Sequence, residues 1–512
     1  MACRQKFGFI KTKLFSMSEI KSRDNLRWWV LLTVIIGTFL GRLDQTIVNL
    51  ALPKIIDDFH ITVSAAGWIS TAYILANAIF VPIWGKLGDT IGRKKVYILG
   101  FSIFIFGSVL AGLSWNLGSM IVFRIIQAIA GSADYPTAMA IVAVTFREGK
   151  ERAQALGIWS ASFAAATVFG PLIGGPLIDN FGWRSIFLVN LPVGVIGLFM
   201  ALAFVRESVS ENKTKKFDWW GAITLGMALS ALVLVLDKGL EWDWLSWKSA
   251  LCYGAILIFA SIFIRIEKKQ PEPIVDFKFF KISAFVNTLG NNFIVFMGMI
   301  GAVFLIPIFS QTFLGYDATQ TGYLFMPMAF MMLLAAQAGG RLTGKIQPRF
   351  IIAASTFVAA AGLFMFSYLD ARSGALSIIV PLSVMAFGMG FGMAQRTNVI
   401  ASLVPSNEIG MASSVLALAR NVAGAFGIAI FGTILQNATN SSVLSIARDS
   451  FLNVKNSQTM REFISLIILK GQVTAYQRVF VISSVFLLVG AVAALGIKAP
   501  TGSKLKEEIV IE

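Results

Sequence analysis

Apolar residues come in long runs along this chain, not in strand-like alternation or short amphipathic stripes. A helix needs about 20 such residues to cross a bilayer. That window selects fourteen stretches, near 29–52, 65–84, 96–115, 119–145, 154–177, 184–205, 219–237, 249–266, 283–311, 319–339, 350–369, 376–398, 409–435 and 478–497. The pattern predicts an all-α integral membrane protein with fourteen transmembrane helices. The connections test the count. With a cytoplasmic N-terminus, the even-numbered connections face inward. They hold Lys86, Arg93, Lys94 and Lys95; Arg147, Lys150 and Arg152; Arg206, Lys213, Lys215 and Lys216; Arg265, Lys268, Lys269, Lys278 and Lys281; and Arg341, Lys345 and Arg349. The short odd-numbered connections hold at most one or two cations each, the alternation expected when positive charge stays inside. The last outer connection, 436–477, departs from it with Arg448, Lys455, Arg461 and Lys470, which a long loop tolerates. Its apolar stretch Phe463–Leu469 reads as a segment lying on the membrane or as a half-span; a full span there would make fifteen and put the C-terminus outside.

The most polar interruption between apolar runs is Gly85-Lys86-Leu87-Gly88-Asp89-Thr90-Ile91-Gly92-Arg93-Lys94-Lys95. Its cations tie it to one face of the membrane, and its glycines permit a tight turn with positive φ or a close helix approach. A degenerate copy, Gly340 to Arg349, follows the tenth span as this stretch follows the second. There Asp89 falls on Gly344 and Gly92 on Gln347. A six-span unit therefore recurs after eight spans, leaving spans seven and eight as an insert. The expected organisation is a cytoplasmic tail (1–28), a six-helix bundle (29–205), a linker with two additional helices (206–266), a second six-helix bundle (267–498) with a long outer loop (436–477), and a cytoplasmic tail (499–512). Repeated units of this kind are common in transporters that bind substrate at the repeat interface.

Composition narrows the function. Of 512 residues, 56% are hydrophobic and 14% charged, against about 45–50% and about 25% in soluble domains. One histidine (His60) and two cysteines (Cys3, Cys252) leave no basis for a metal site or disulfide framework, and no cofactor is expected. The net charge of +16 fits the inward bias and anionic headgroups; nucleic acid is not an expected partner. Met1–Arg27 is basic and polar with no cleavage-site pattern, so it reads as a tail. A polytopic enzyme would need a clustered His/Cys/Asp/Glu constellation, and ATP-driven transport a phosphate loop; neither pattern is found.

Charges inside spans cost roughly 3 kcal/mol or more and are functional candidates by default. Asp44 lies past the middle of span one and Arg124 about five residues into span four, at depths about 6 Å apart by helical rise. They can face each other. An arginine beside a carboxylate favours proton release, and its withdrawal favours uptake; the competing reading is a static ion pair, although buried pairs are poor stabilisers. Asp134 lies about 15 Å deeper than Arg124 on another face. It reads as a second proton site, as a counter-ion for a cationic substrate, or as a protonated acid bonded to a neighbouring helix. Arg42, Arg396 and Arg420 are further intramembrane cations, and Arg396 is expected to snorkel to the inner surface. Asn77, Asn291, Asn292 and Gln311 suit helix–helix hydrogen bonding as well as substrate contact. Span five carries Gly157, Gly170, Pro171, Gly174, Gly175 and Pro176, a composition for close packing and bending. Aromatic and Met residues, Trp159, Phe163, Phe296 and Met297 among them, could line an adaptable pocket.

Four segments together resemble the major facilitator superfamily, and within it the fourteen-span drug:proton antiporters of the EmrB/QacA type. The stretch Gly85–Lys95 resembles the superfamily signature between spans two and three. Leu43-Asp44-Gln45-Thr46-Ile47-Val48-Asn49-Leu50-Ala51-Leu52-Pro53 resembles the first-span motif of the fourteen-span group, and Gly170-Pro171-Leu172-Ile173-Gly174-Gly175 the antiporter motif. Pro307–Gln311, Gly315, Gly322 and Pro327 resemble spans nine and ten. Departures are Ala166 at a motif glycine, Ala128 and Ala130 after Gln127, and Asp134 where the family is apolar. The resemblance implies the major facilitator fold, two six-helix bundles plus two inserted helices, in the plasma (inner) membrane. It also implies a proton-coupled multidrug exporter of amphipathic organic compounds working by alternating access. Asp44 and Arg124 would couple protons, and Gly85, Asp89, Gly92 and Arg93 would form a cytoplasmic gate. In that gate Asp89 would bond a helix N-terminus or a nearby arginine, and Arg93 an acid such as Glu148 or Glu151. Asn77, Trp159, Phe163, Asn291, Gln311 and Arg420 are candidates for the substrate cavity. Expected partners are small organic substrates, protons and membrane lipids, with a periplasmic adaptor where the host has an outer membrane. A narrow-specificity exporter of a metabolite, amino acid or lipid is the alternative; a scaffold would have no reason to keep intramembrane charges.

Overall fold

The computed structural model describes residues 2–146, 149–208, 218–270, 273–342, 345–404, 409–449 and 457–497; the side chains of residues 2–25 and of some helical residues, among them Asp89, Gly157 and Phe163, lie outside the description. The described chain is helical. The first eight helices are α1 (Ala2–Phe59), α2 (Val63–Ile91), α3 (Arg93–Gly112), α4 (Leu117–Gly131), α5 (Asp134–Thr145), α6 (Gly149–Phe181), α7 (Ser185–Leu188) and α8 (Asn190–Phe204). After them come α9 (Trp219–Trp242) and α10 (Trp247–Glu267), then α11 (Ser283–Phe313), α12 (Ala318–Arg341), α13 (Pro348–Met365), α14 (Leu376–Ser402), α15 (Ile409–Asp449) and α16 (Ser457–Ala494). Counting α4–α5 and α7–α8 as one each, 13 helices are long and apolar enough to cross a membrane among the described residues. The 33-residue α6 stands where the remaining span, 154–177, was expected.

Two groups of six spans pack internally: α1 on α6 and α8, α3 on α4 and α8, α2 on α4; then α12 and α13 on α14, α11 and α16 on α15, α13 on α16. The groups meet through α2 with α15, α6 with α12, and α1 with α11. The second helix of each thus faces the fifth of the other. The insert is a hairpin of α9 and α10, with α9 against both α2 and α15. The end holding residues 85–95 is called here the basic face, and the opposite end the far face.

Local sequence explains where helices start and break. Asn116 and Ser119 form a capping box at α4, and Asp317 and Gln320 one at α12; such caps satisfy amides that have no intrahelical partner. Span four breaks between α4 and α5, three residues before Pro136, which has no amide to continue the ladder. Asp134 therefore opens a new helix. Several expectations change. The stretch 85–95 is not a loop. Helix α2 continues through it to Ile91, and the turn is made by Gly92 alone, at φ 115°. Gly85 and Gly88 serve close approach instead, since a Cβ on either would lie 3.3–3.4 Å from Pro136 or Thr137 of α5. The expected outer loop 436–477 is largely helical: α15 runs to Asp449 and α16 starts at Ser457. A Cβ on Gly471 would run into Val443, so the two helix extensions pack closely at that point. Phe463–Leu469 belongs to α16 and is no separate span. The expected N-terminal tail continues as part of the 58-residue α1.

Candidate functional site

Asp44 and Arg124 meet inside the first bundle. Both side chains are 1% exposed, and Arg124 Nη1 donates to Asp44 Oδ2 at 2.5 Å. Arg124 and Gln127 are three apart on α4 and so share a face. The same nitrogen donates to Gln127 Oε1 at 2.7 Å, while Gln127 Nε2 donates to Asp44 Oδ1 at 3.0 Å. The guanidinium lies 4.0 Å above the Tyr73 ring. Asn190 Nδ2 donates to Asp44 Oδ1 at 3.3 Å and to Ser108 Oγ at 2.9 Å, and Ser108 in turn donates to the Phe187 carbonyl. Three donor groups, two from the fourth span and one from the sixth, thus converge on the two oxygens of the first-span carboxylate, with Ser108 of the third span behind Asn190.

Asp134 is elsewhere. It opens α5, where a helix N-terminus favours negative charge. It lines a small cleft with Gly37, Gly41, Tyr97, Phe104 and Gly131, and its buried Oδ1 has no hydrogen-bond partner. A Cβ on Gly37 would meet both Tyr97 and this carboxylate, so the glycine makes the cleft. Trp159 stands beside it, its Nε1 donating to Thr38 at 3.0 Å and its ring 5.4 Å from that of Tyr135. Arg42 bonds Gln45 at 3.0 Å. Arg420 of α15 lies 5.5 Å from the Phe296 ring and within electrostatic reach of Arg42 and Tyr135 of the first bundle. Asn77 is half-buried on α2 and makes no hydrogen bond to either acid.

The expected position of Arg396 is corrected. It does not snorkel: it is 1% exposed, with Nε donating to Asn291 at 2.8 Å and Nη2 to Thr356 at 3.0 Å and Ser355 at 3.3 Å. Asn291 also donates to the Gly490 carbonyl at 2.9 Å. Asn291 is therefore engaged inside the second bundle. Gln311 is also placed differently: its Nε2 donates to the Leu50 carbonyl at 2.9 Å, joining the two bundles.

That bond belongs to a seal. Hydrogen bonds between the bundles gather at the far face. Asp179 of α6 accepts from the Ala318 and Thr319 amides of α12 at 3.1 and 2.8 Å and from the Thr319 hydroxyl at 2.6 Å. Small residues let the helices close. Gly170 and Gly174 face Thr46 and Ile47 of α1; Gly175 abuts the Thr319 backbone, and Gly322 the carbonyl of Pro171. The insert adds a bridge. Asp237 of α9 accepts from Ser64 Oγ and Trp68 Nε1 of α2, both at 2.6 Å, and its backbone carbonyl accepts from Thr433 of α15 at 3.2 Å.

At the basic face, Glu207 receives the Lys94 and Lys95 amides at 3.0 and 3.3 Å and fills the space beside Gly92. The expected partner of a helix N-terminus, Asp89, is outside the described side chains, as are Glu148, Gly344, Gly157 and Phe163. Glu151 faces Arg27 at 3.5 Å. Among the described residues no three His, Cys, Asp or Glu gather where a metal could be held. Asn190, Gln127, Asp179, Asp237 and Glu207 were missed from sequence. Gln127 and Asn190 could have been found as polar residues within apolar spans; the three acids sit at span ends, where charge is ordinary.

The sequence profile of the Major Facilitator Superfamily matches residues 34–428. The chain is 32% identical to the multidrug resistance protein Stp of Mycobacterium tuberculosis over 79% of this chain and 76% of that one. It is also 32% identical to the multidrug transporter protein MdtP of Bacillus subtilis over 83% and 78%. The crystal structure of a bacterial homologue of the human lysosomal transporter Spinster superposes with a TM-score of 0.67 at 17% identity, over 92% of this chain and 96% of that one. Its helical fold, the profile match and these relatives together place the protein: the chain belongs to the Major Facilitator Superfamily.

Proposed function

We propose that this multi-pass membrane protein is a proton-driven exporter of amphipathic organic compounds that works by alternating access. The observation carrying the reading is the sealed Asp44–Arg124 cluster. A charge pair that deep is a costly way to hold helices together, whereas an acid whose arginine can be withdrawn has the means to exchange a proton. Relatives named for multidrug resistance support the cargo class. The basic face is assigned to the cytoplasm of a plasma membrane, in keeping with the charge bias, with both termini on that side. The bundles are assigned to 29–205 and 267–498, and the insert to 206–266. The far-face seal made by Asp179, Gln311 and Asp237 then belongs to a state closed to the outside. In the cycle Asp44 takes a proton when the far face opens and gives it up when the basic face opens, while cargo moves the other way. Asp134, in its cleft beside Trp159, is the second proton-exchanging acid of this reading, and Arg420, Phe296 and Tyr135 lie where cargo would pass between the bundles. Gly85, Asp89, Gly92 and Arg93 form the cytoplasmic gate, and Asp89→Asn should slow turnover without abolishing cargo binding. Lipids surround the spans, and an adaptor extends the path where the host has an outer membrane. The test is transport in proteoliposomes under an imposed pH gradient: Asp44→Asn should remain in the membrane and lose uphill efflux, and normal uphill efflux by that variant would sink the reading.

A further inference from the structure

Asn190 carries an unexplained feature of the first-bundle cluster. It is 0% exposed, at the start of α8 where the short α7 has just ended and Pro192 interrupts the ladder. Its Nδ2 is fully used, on Asp44 Oδ1 at 3.3 Å and Ser108 Oγ at 2.9 Å. Its Oδ1 is buried and has no donor. A buried carbonyl oxygen without a partner calls for a reason.

The reason emerges when Asp44 binds a proton. The acid then needs an acceptor for its new O–H, and the other nearby side-chain acceptors each already hold a donor. Gln127 Oε1 takes Arg124 at 2.7 Å. The Ser108 hydroxyl oxygen takes Asn190 while its proton goes to Phe187. Asn190 Oδ1 is the unused acceptor beside the carboxylate. Turning the amide by half a revolution would set that oxygen where the nitrogen now stands, 3.3 Å from Asp44 Oδ1, and would release the bond from Nδ2 to Ser108 Oγ. Resting on the proton-exchange reading above, we propose that Asn190 recognises both protonation states of Asp44: its N–H donates to the carboxylate, and its oxygen, turned over, accepts the O–H of the acid. The exchange balances without another reactant. One proton from water binds Asp44 as Arg124 draws away from it, and Arg124 keeps its own proton. Asn190 is thus a positioning residue for the proton carrier, neither donating nor keeping a proton of its own.

The test is infrared difference spectroscopy of the full-length protein in lipid as pH is lowered, paired with proton-driven efflux of the fluorescent cation ethidium. The protonated Asp44 carbonyl band is identified by its loss in Asp44→Asn. In Asn190→Leu that band should move up to the frequency of an acid without a hydrogen-bonded O–H, and exchange should slow about tenfold, as for loss of one buried hydrogen bond to an ionisable group. Asn190→Ser, whose hydroxyl both donates and accepts, should hold the band near its wild-type position and restore exchange. Asn190→Ala replaces the leucine variant if that does not fold. An unmoved band in the leucine or alanine variant overturns the role of Asn190, as does a serine variant as impaired as the leucine one at equal thermal stability. A band that survives in Asp44→Asn overturns the proton reading itself, and this proposal with it.

Discussion

The two bundles hold clusters on corresponding helices, and one residue separates them in kind. In the first, Asp44, Ser108, Arg124 and Asn190 come from the first, third, fourth and sixth spans. In the second, Asn291, Ser355 with Thr356, Arg396 and the Gly490 carbonyl come from the same four places. Both arginines are 1% exposed. The depths are opposite: Arg124 lies near the far-face start of α4, Arg396 near the basic-face end of α14. Where the first bundle has Asp44, the second has Asn291. Neutral oxygens satisfy the Arg396 donors but cannot exchange a proton or cancel a charge. A shared architecture therefore holds an ion pair in one bundle and an arginine among neutral oxygens in the other; the acid, not the arginine, makes the difference.

That comparison can be broken in several ways. The largest effect is expected from Asp44→Asn, which makes the first cluster resemble the second and should take uphill efflux to background in proteoliposomes. Next comes the pair of arginines. Arg124→Met leaves a buried carboxylate without its cation and should cost about 3–5 kcal/mol, seen as a large fall in the thermal midpoint in detergent. Arg396→Met removes a charge that has no counter-ion among the described residues and should be neutral or slightly stabilising by the same measure; equal losses in both would end the distinction. A smaller effect is expected from Asp237→Ala, which deletes two charge-assisted bonds worth about 1.5–3 kcal/mol each at most. It should raise the labelling of a cysteine placed in the far-face seal, while the folded fraction changes little. The smallest is Gly92→Ala, which sets a Cβ at positive φ against Glu207 and should cost about 1–3 kcal/mol, read as a lower thermal midpoint.

Much of the fold was legible because membrane spans announce themselves. About 20 apolar residues in a row have few alternatives to a spanning helix, so Ser283–Phe313 or Leu376–Ser402 could be placed from the pattern alone. Boundaries were legible only where polarity and helix end together. At 85–95 polarity rises but the helix goes on, because a helix outside the hydrocarbon needs only an intact ladder, and α2 has one until Gly92. At 436–477 the helices likewise go on past the apolar run, and α15 and α16 pack closely at Val443 and Gly471. Asp44 and Arg124 could be paired from depth, since helical rise is fixed. Arg396 was misplaced for a related reason. Depth alone put it near a surface, whereas its direction around α14, toward Asn291 and Thr356, is set by how that helix is rotated against α11 and α13.

Polarity along the chain is enough to show that it crosses a membrane many times, which residues of the spans are charged, and that a six-span unit recurs with an insert between its copies. These follow from the cost of placing polar groups in hydrocarbon, a property of each segment taken alone. Which side chains meet is a matter of packing: Asn190 completes the Asp44 cluster, Arg396 is held by neutral oxygens, and Asp179, Gln311 and Asp237 bond across the far face. Those contacts depend on helix rotation and crossing, which arise from packing among segments distant in sequence and leave no periodic mark on any one of them.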